Sequence, residues 1–367
     1  MVSCRIRVAV MVQSWAFLLG ALIFSSAASS QTTVLSTDYG LGAFKPSGGS
    51  LVNKTVDATG ARFTVANSKN SNPTPSKNCD VGTLAVNYYP IHLAGSSGVT
   101  FLGGLVRSNI PQSSEWRPTY CNSAALAVFD SNGATVDGVR VTGAWDAIRF
   151  AKNSNNFTLK RAWIENVRDD CVENDQLKSG KISDVLFDGC FQGISVDPGV
   201  GVSVANQQNL QTVEMDNVLL RLKPYPYRKN DNYPLTNTHG HIFKSATTSP
   251  SFSVTNSTFA YEVIPFSSDE RLTNILGRMK TCKNNHVLWL SDSPLPAFFK
   301  LFPQSCFQVV QGKAARDMWE ASRTNWIDCH PSNVRLDGDA ASVAGRCSSG
   351  GGALAVVTPR SPVIRVE

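Results

Sequence analysis

Through the central third of the chain, apolar and polar residues alternate in short runs that stop at Gly, Asn or Asp and then begin again. Aligned on their apolar positions, the segments 134–143, 157–166 and 180–189 are copies of one another, and Val136, Leu159 and Ile182 stand 23 residues apart. A second register runs in step with the first through Asp146-Ala-Ile148, Asp170-Cys-Val172 and Gln192-Gly-Ile194. Period-two alternation of this kind predicts strands, here two per repeat, and neither can bury its apolar side without a copy above and below it. Looser copies follow at 213–222, 240–243 and 252–259. The pattern predicts an all-β solenoid, a right-handed parallel β-helix in which each repeat is one coil and coils stack at about 4.8 Å. A β-sandwich or barrel with coincidental spacing is the alternative.

The flanks carry weaker patterns. Residues 31–95, with Ala43-Phe-Lys-Pro-Ser-Gly-Gly-Ser50 and Asn70-Ser-Asn-Pro-Thr-Pro75, read as an N-terminal cap and first irregular coils before a core at 96–260. Residues 261–339 lose the strand pattern and contain a helical face of Ala314, Met318, Ala321 and Trp326, so a C-terminal cap with one or two helices is expected over the open end. The Gly/Ala/Ser-rich residues 340–367 read as a flexible tail.

Composition narrows the setting. With 42% hydrophobic and 17% charged residues in 367, the chain is neither a disordered polymer nor a coiled coil nor a collagen. A net charge of +6 is too small for the dense basic face of a nucleic-acid binder. Arg5 and Arg7 precede the apolar run Val8 to Phe24 and the small residues that end at Ser30, the pattern of a cleaved secretory signal over 1–30; an uncleaved anchor is the rival reading. Secretion, to the exterior or a periplasm, leaves no membrane association after cleavage. Removing Cys4 from the nine cysteines leaves an even number, which suits an oxidising compartment. Cys171 and Cys190 lie about one coil apart and can bridge adjacent turns, with Cys282–Cys306, Cys329–Cys347 and Cys79–Cys121 as sequential pairs for the rest. Asn53, Asn156 and Asn256 head glycosylation triplets.

Asp146 and the pair Asp169-Asp170 are 23 to 24 positions apart, so neighbouring coils bring three carboxylates to one surface. Like charges this close raise one another's pKa, which keeps one carboxyl protonated as an acid while another stays ionised as a base. Gln192 falls one coil further on. Beyond it, Arg221 and Lys223 supply cations able to hold a substrate carboxylate, and Tyr227, His239, His241 and Lys244 supply stacking and polar groups.

In order along the chain, Trp145-Asp146, Asp169-Asp170-Cys171, Gln192-Gly-Ile-Ser195 and Arg221-Leu-Lys223 resemble the motif series of the polygalacturonases, pectin-degrading hydrolases of the pectin-lyase-like β-helix superfamily. The resemblance spans about residues 130–225. It implies catalysis by Asp146, Asp169 and Asp170, substrate contacts from Arg221 and Lys223, and a Cys171–Cys190 bridge. The family's histidine is Gln192 here, which cannot carry a proton.

Two classes of function follow. One is an enzyme acting on an acidic, uronic-acid-containing polysaccharide, either as an inverting hydrolase with Asp169 as acid and Asp146 and Asp170 activating water, or as a lyase in which carboxylates hold Ca²⁺. The other is a non-catalytic glycan-binding β-helix. No cofactor is expected for a hydrolase, Ca²⁺ is expected only for a lyase, and the chain is expected to act as a monomer.

Overall fold

A computed structural model describes residues 31–65, 89–108, 110, 112–116, 123–198 and 211–330. The expected signal segment and the tail therefore lie outside the described residues, as do one or both partners of the Cys79–Cys121 and Cys329–Cys347 pairs.

Twenty strands join in one large curled sheet, and every pairing within it is parallel. The pairs sort into three ladders that the chain visits in a fixed order. In the first, Val56, Phe101, Val136, Leu159, Ile182, Met215 and Val254 stand in register. In the second, the column is Phe63, Val106, Val141, Ile164, Phe187, Leu220, Phe259, Val287 and Val309. In the third it is Ile91, Leu126, Ile148, Val172, Ile194 and Phe243. All these side chains belong to one buried core. Parallel strands can share a core this way because the ladders satisfy the backbone between coils and each apolar residue meets its equivalents above and below. The arrangement is compatible with a parallel β-helix, and parallel pairing is not that of a sandwich.

The sequence pattern gave two strands per repeat where the structure has three. The difference lies at a single residue per coil. Gly103, Gly138, Arg161, Asp184, Asn217, Asn256 and Asn284 follow the first ladder directly, and all have positive φ. A one-residue left-handed turn redirects the chain without a loop, so the apolar alternation runs through it almost unbroken. Where the residue is Asn, its amide also links coils: Asn217 donates to Asp184 at 2.9 Å and Asn284 to Asn256 at 3.2 Å. Asn53 and Asn156, like Asn256, are left-handed, so the asparagine of each glycosylation triplet has a backbone role.

The ladders also run further than 260. Met279–Lys283, Asn285–Trp289 and Phe307–Gln311 extend the first two, while the short helix Glu270–Leu276 and the 3₁₀ turn Ala297–Leu301 bury Leu272, Ile275, Phe298 and Phe299 against the core. The helix expected near 313–327 spans Gly312–Cys329, but it buries Ala315, Trp319, Ser322 and Trp326 rather than the face through Met318 and Ala321. Instead of covering the open end, it packs on Trp163, Leu186, Leu219, Ala260 and Leu288, the side of the second ladder opposite the core. Strand alternation explains this, since those residues neighbour the core column in sequence and point away from it.

Among the described residues no helix is long and apolar enough to cross a membrane. Cys171 is joined to Cys190 and Cys282 to Cys306, with Cα atoms 5.7 and 5.3 Å apart, which is compatible with an oxidising compartment.

Candidate functional site

The carboxylate cluster forms where the chain enters the third ladder. Val167 pairs with Cys190 but Asp170 pairs with Gln192, so the strand Trp163–Glu173 carries one residue more than its neighbour at this corner. Such a bulge breaks the in–out alternation and re-aims side chains. It leaves Asp169 and Asp170 both outside the core column, with Cys171 and Val172 inside it. Asp146, on the coil before, accepts the Asp170 backbone N–H at 3.2 Å. One oxygen each from Asp146, Asp169 and Asp170 lie within 4.8 Å of one another, and the three residues are 3%, 6% and 1% exposed.

Two cations stabilise this cluster. Arg149 Nη2 lies 2.7 Å from Asp146 Oδ2 and 2.6 Å from Glu173 Oε2, while its Nη1 donates to the Tyr89 hydroxyl at 2.7 Å. Lys244, paired in register with Ser195 on the next coil, places Nζ 3.0 Å from Asp170 Oδ2. Asp175 completes the acidic set and accepts hydrogen bonds from the Ser195 hydroxyl and from the Asp197 backbone N–H.

Burial pushes Asp146 and Asp170 well above the usual carboxylate range, and neighbouring carboxylates add to the rise. Asp169 is raised too, chiefly by burial, with Lys244 and a Gln192 hydrogen bond working against the rise. Against the cost of its own burial, Glu173 is held below its ordinary value by the hydrogen bond from Asp146 and by Arg149. One proton is therefore shared between Asp146 and Glu173, and it resides on Asp146. Lys244 stays charged, because the surrounding carboxylates outweigh its burial.

A cavity of about 480 Å³ opens beside the cluster. Asp169 lines it, whereas Asp146 and Asp170 stand behind. Gln192, Lys244, Lys229 and Arg271 supply its other polar groups, and Trp116, Phe191, Tyr227 and Phe266 its aromatic wall. The wall is self-packed: the Tyr227 ring is 4.3 Å from Phe266 and 5.3 Å from Phe191, and Trp116 donates Nε1–H to the Arg168 carbonyl at 3.0 Å. Planar rings with a polar rim suit the face of a sugar.

Of the residues anticipated from sequence, Asp146, Asp169, Asp170, Gln192, Tyr227 and Lys244 come together here. Arg221 and Lys223 do not line the cavity. Arg221 lies on the second ladder, donating to Asp188 at 2.6 Å and Glu262 at 2.7 Å, and Arg323 of the C-terminal helix reaches the same Asp188. Lys223 donates to Asn166 at 2.7 Å. His239 is fully buried, its Nδ1–H directed at the Gly240 carbonyl and its Nε2 accepting from the backbone of Glu262 and Val263. Burial lowers it to about 4, so it is neutral, and its role is to hold a turn. His241 is equally buried, edge-on to Phe298, and also lowered to about 4 by burial. Gly240 packs directly on Gln192, where an added Cβ would sit 2.4 Å from Oε1. The residues sequence reasoning passed over are Arg149, Arg271, Trp116 and Phe266. Only Arg149, one turn of alternation beyond Asp146, carried a positional signal.

Three carboxylate oxygens at this spacing also suit a divalent cation. Arg149 and Lys244 nevertheless hold one oxygen each of Asp146 and Asp170 already. Comparison with protein-family models, curated proteins and solved structures found no match.

Proposed function

We propose that this chain is a secreted, monomeric right-handed parallel β-helix of the pectin-lyase-like kind that hydrolyses an acidic polysaccharide. The observation that carries the reading is Asp169: it is the one member of the trio on the cavity wall, and its carboxyl is raised towards the protonated form. A raised carboxyl facing a sugar-sized, aromatic-walled cavity is suited to protonate a glycosidic oxygen. Asp170, whose Oδ1 has no hydrogen-bond partner among the described residues, takes the proton of the attacking water, with Lys244 holding its other oxygen. Gln192 takes no proton. It fixes the Asp169 carboxyl by a hydrogen bond, a positioning role that does not need the histidine of the polygalacturonases.

A calcium-dependent lyase is the second reading, favoured by the spacing of the trio. It needs a neutral base, and Lys244 remains protonated beside Asp170. A non-catalytic glycan-binding role is the third.

The test is a screen of the mature protein on uronic-acid and neutral polysaccharides, recording reducing ends and the absorbance of unsaturated products with and without chelator. Reducing ends alone are expected, and Asp169→Asn should lower the rate by about 10²- to 10⁴-fold. Chelator-sensitive absorbance means elimination, and binding with no turnover means a lectin-like role. The trio is closer than the roughly 6.5–9.5 Å kept by most inverting glycosidases. Proton NMR of the first product's anomeric centre decides between single and double displacement.

A further inference from the structure

We propose that Arg271, rather than Arg221 or Lys223, reads the carboxylate of the acidic sugar bound beside Asp169. This rests on the hydrolase reading for its substrate class and adds the residue that selects it.

The cations near the cluster differ in what they have left to give. Lys244 is engaged by Asp170, Arg221 by Asp188 and Glu262, and Lys223 by Asn166. Arg168 spends both terminal nitrogens on the carbonyls of Gln112 and Ser114. Lys229, on the cavity rim, is exposed and lies over the Tyr233 ring. Arg271 lines the same cavity with its side chain 35% exposed, and among the described residues it donates only through Nη1, to Asp197 at 2.6 Å. Its Nε and Nη2 remain for a ligand.

Arg271 is also fixed in place. Its carbonyl accepts the Ser245 hydroxyl, and Asp197 is itself held by its backbone N–H to Asp175 at 3.0 Å. A planar guanidinium clamped at one nitrogen presents the rest of its fork in a set orientation, the geometry that recognises a planar carboxylate. The charge balance requires such a group. Asp146, Asp169, Asp170, Glu173 and Asp175 outnumber Arg149 and Lys244, so an anionic sugar approaching Asp169 is repelled unless a fixed cation meets its own carboxylate.

The experiment measures calorimetric binding of a polygalacturonate oligomer and its methyl ester to protein carrying Asp169→Asn, with kcat/KM for both measured on the otherwise unaltered protein. Arg271→Met should weaken the acidic oligomer about ten-fold or more while sparing the ester, and raise KM more than it lowers kcat. Arg271→Lys should recover part of the loss, and added salt should shrink the preference. Asp197→Asn, which keeps the cation, should retain the preference and so separates recognition from folding. An unchanged acid-to-ester ratio in Arg271→Met, or an equal loss for both oligomers, overturns the proposal while the hydrolase reading stands. Arg271-dependent binding with no turnover by the unaltered protein upholds it and removes the hydrolase reading. Failure to bind either oligomer overturns both.

Discussion

Arg149 and Glu173 stand on adjacent coils of the third ladder as register partners, and the guanidinium of one grips the carboxylate of the other at 2.6 Å while holding Asp146 at 2.7 Å. One nitrogen thus bridges two carboxylates that otherwise repel. Arg149→Met should destabilise the fold by about 3–5 kcal/mol at neutral pH, the cost of leaving buried charge uncompensated. The loss should be smaller at pH 5, where the carboxylates take up protons. Denaturant unfolding at the two pH values checks this.

Glu173→Gln tests the shared proton from the other side. With the Glu173 charge gone, one of the influences raising Asp146 disappears, although burial still acts. The Asp146 carboxyl should ionise at lower pH, and the acidic limb of any pH–rate profile that it controls should move down. Carboxyl titration by NMR gives the direction without relying on turnover.

Asp175 is raised from 3.8 to about 6, chiefly by burial. Such a group binds a proton more readily in the folded than in the unfolded chain. It costs stability above about pH 6, and the cost fades as the pH falls towards 4. Asp175→Asn keeps an acceptor for Ser195 and Asp197. It should raise stability at pH 7 and flatten the stability profile between pH 4 and 6, as followed by thermal melts across that window.

Asp188 holds two arginines, Arg221 at 2.6 Å and Arg323 at 2.5 Å, and so ties the C-terminal helix to the second ladder. Arg221→Ala should lower stability by about 1–3 kcal/mol and loosen the helix Gly312–Cys329, with little change in the affinity for acidic substrate. Amide exchange in that helix and the KM for an acidic substrate are the paired measurements. A large KM effect with unchanged exchange would return Arg221 to the binding site.

Asn256 combines a left-handed backbone with hydrogen bonds to Asp216 and Asn284. Asn256→Ala should cost about 1–3 kcal/mol, from the conformational penalty and the lost amide contacts together. Asn256→Gly should recover the conformational part only. Comparing the two unfolding midpoints apportions them.

What the sequence by itself determined is everything that depends on stacking. In parallel ladders a fixed separation along the chain becomes adjacency in space, so the recurrence of Val136, Leu159 and Ile182 predicted a true register. The same arithmetic brought Asp146 to Asp170 and Cys171 to Cys190. Tertiary structure alone decided which way side chains point and which excursions return. A one-residue left-handed turn divides each first segment in two, and it is invisible to periodicity because Gly138, Arg161 and Asp184 share no residue type. One extra residue in the strand Trp163–Glu173 places Asp169, but not Asp170, on the cavity wall. Arg271 arrives from a helix 74 residues beyond its partner Asp197, and the helix Gly312–Cys329 folds back to claim Arg221 through Asp188. Those contacts join segments with no common period, so only packing of the whole chain sets them.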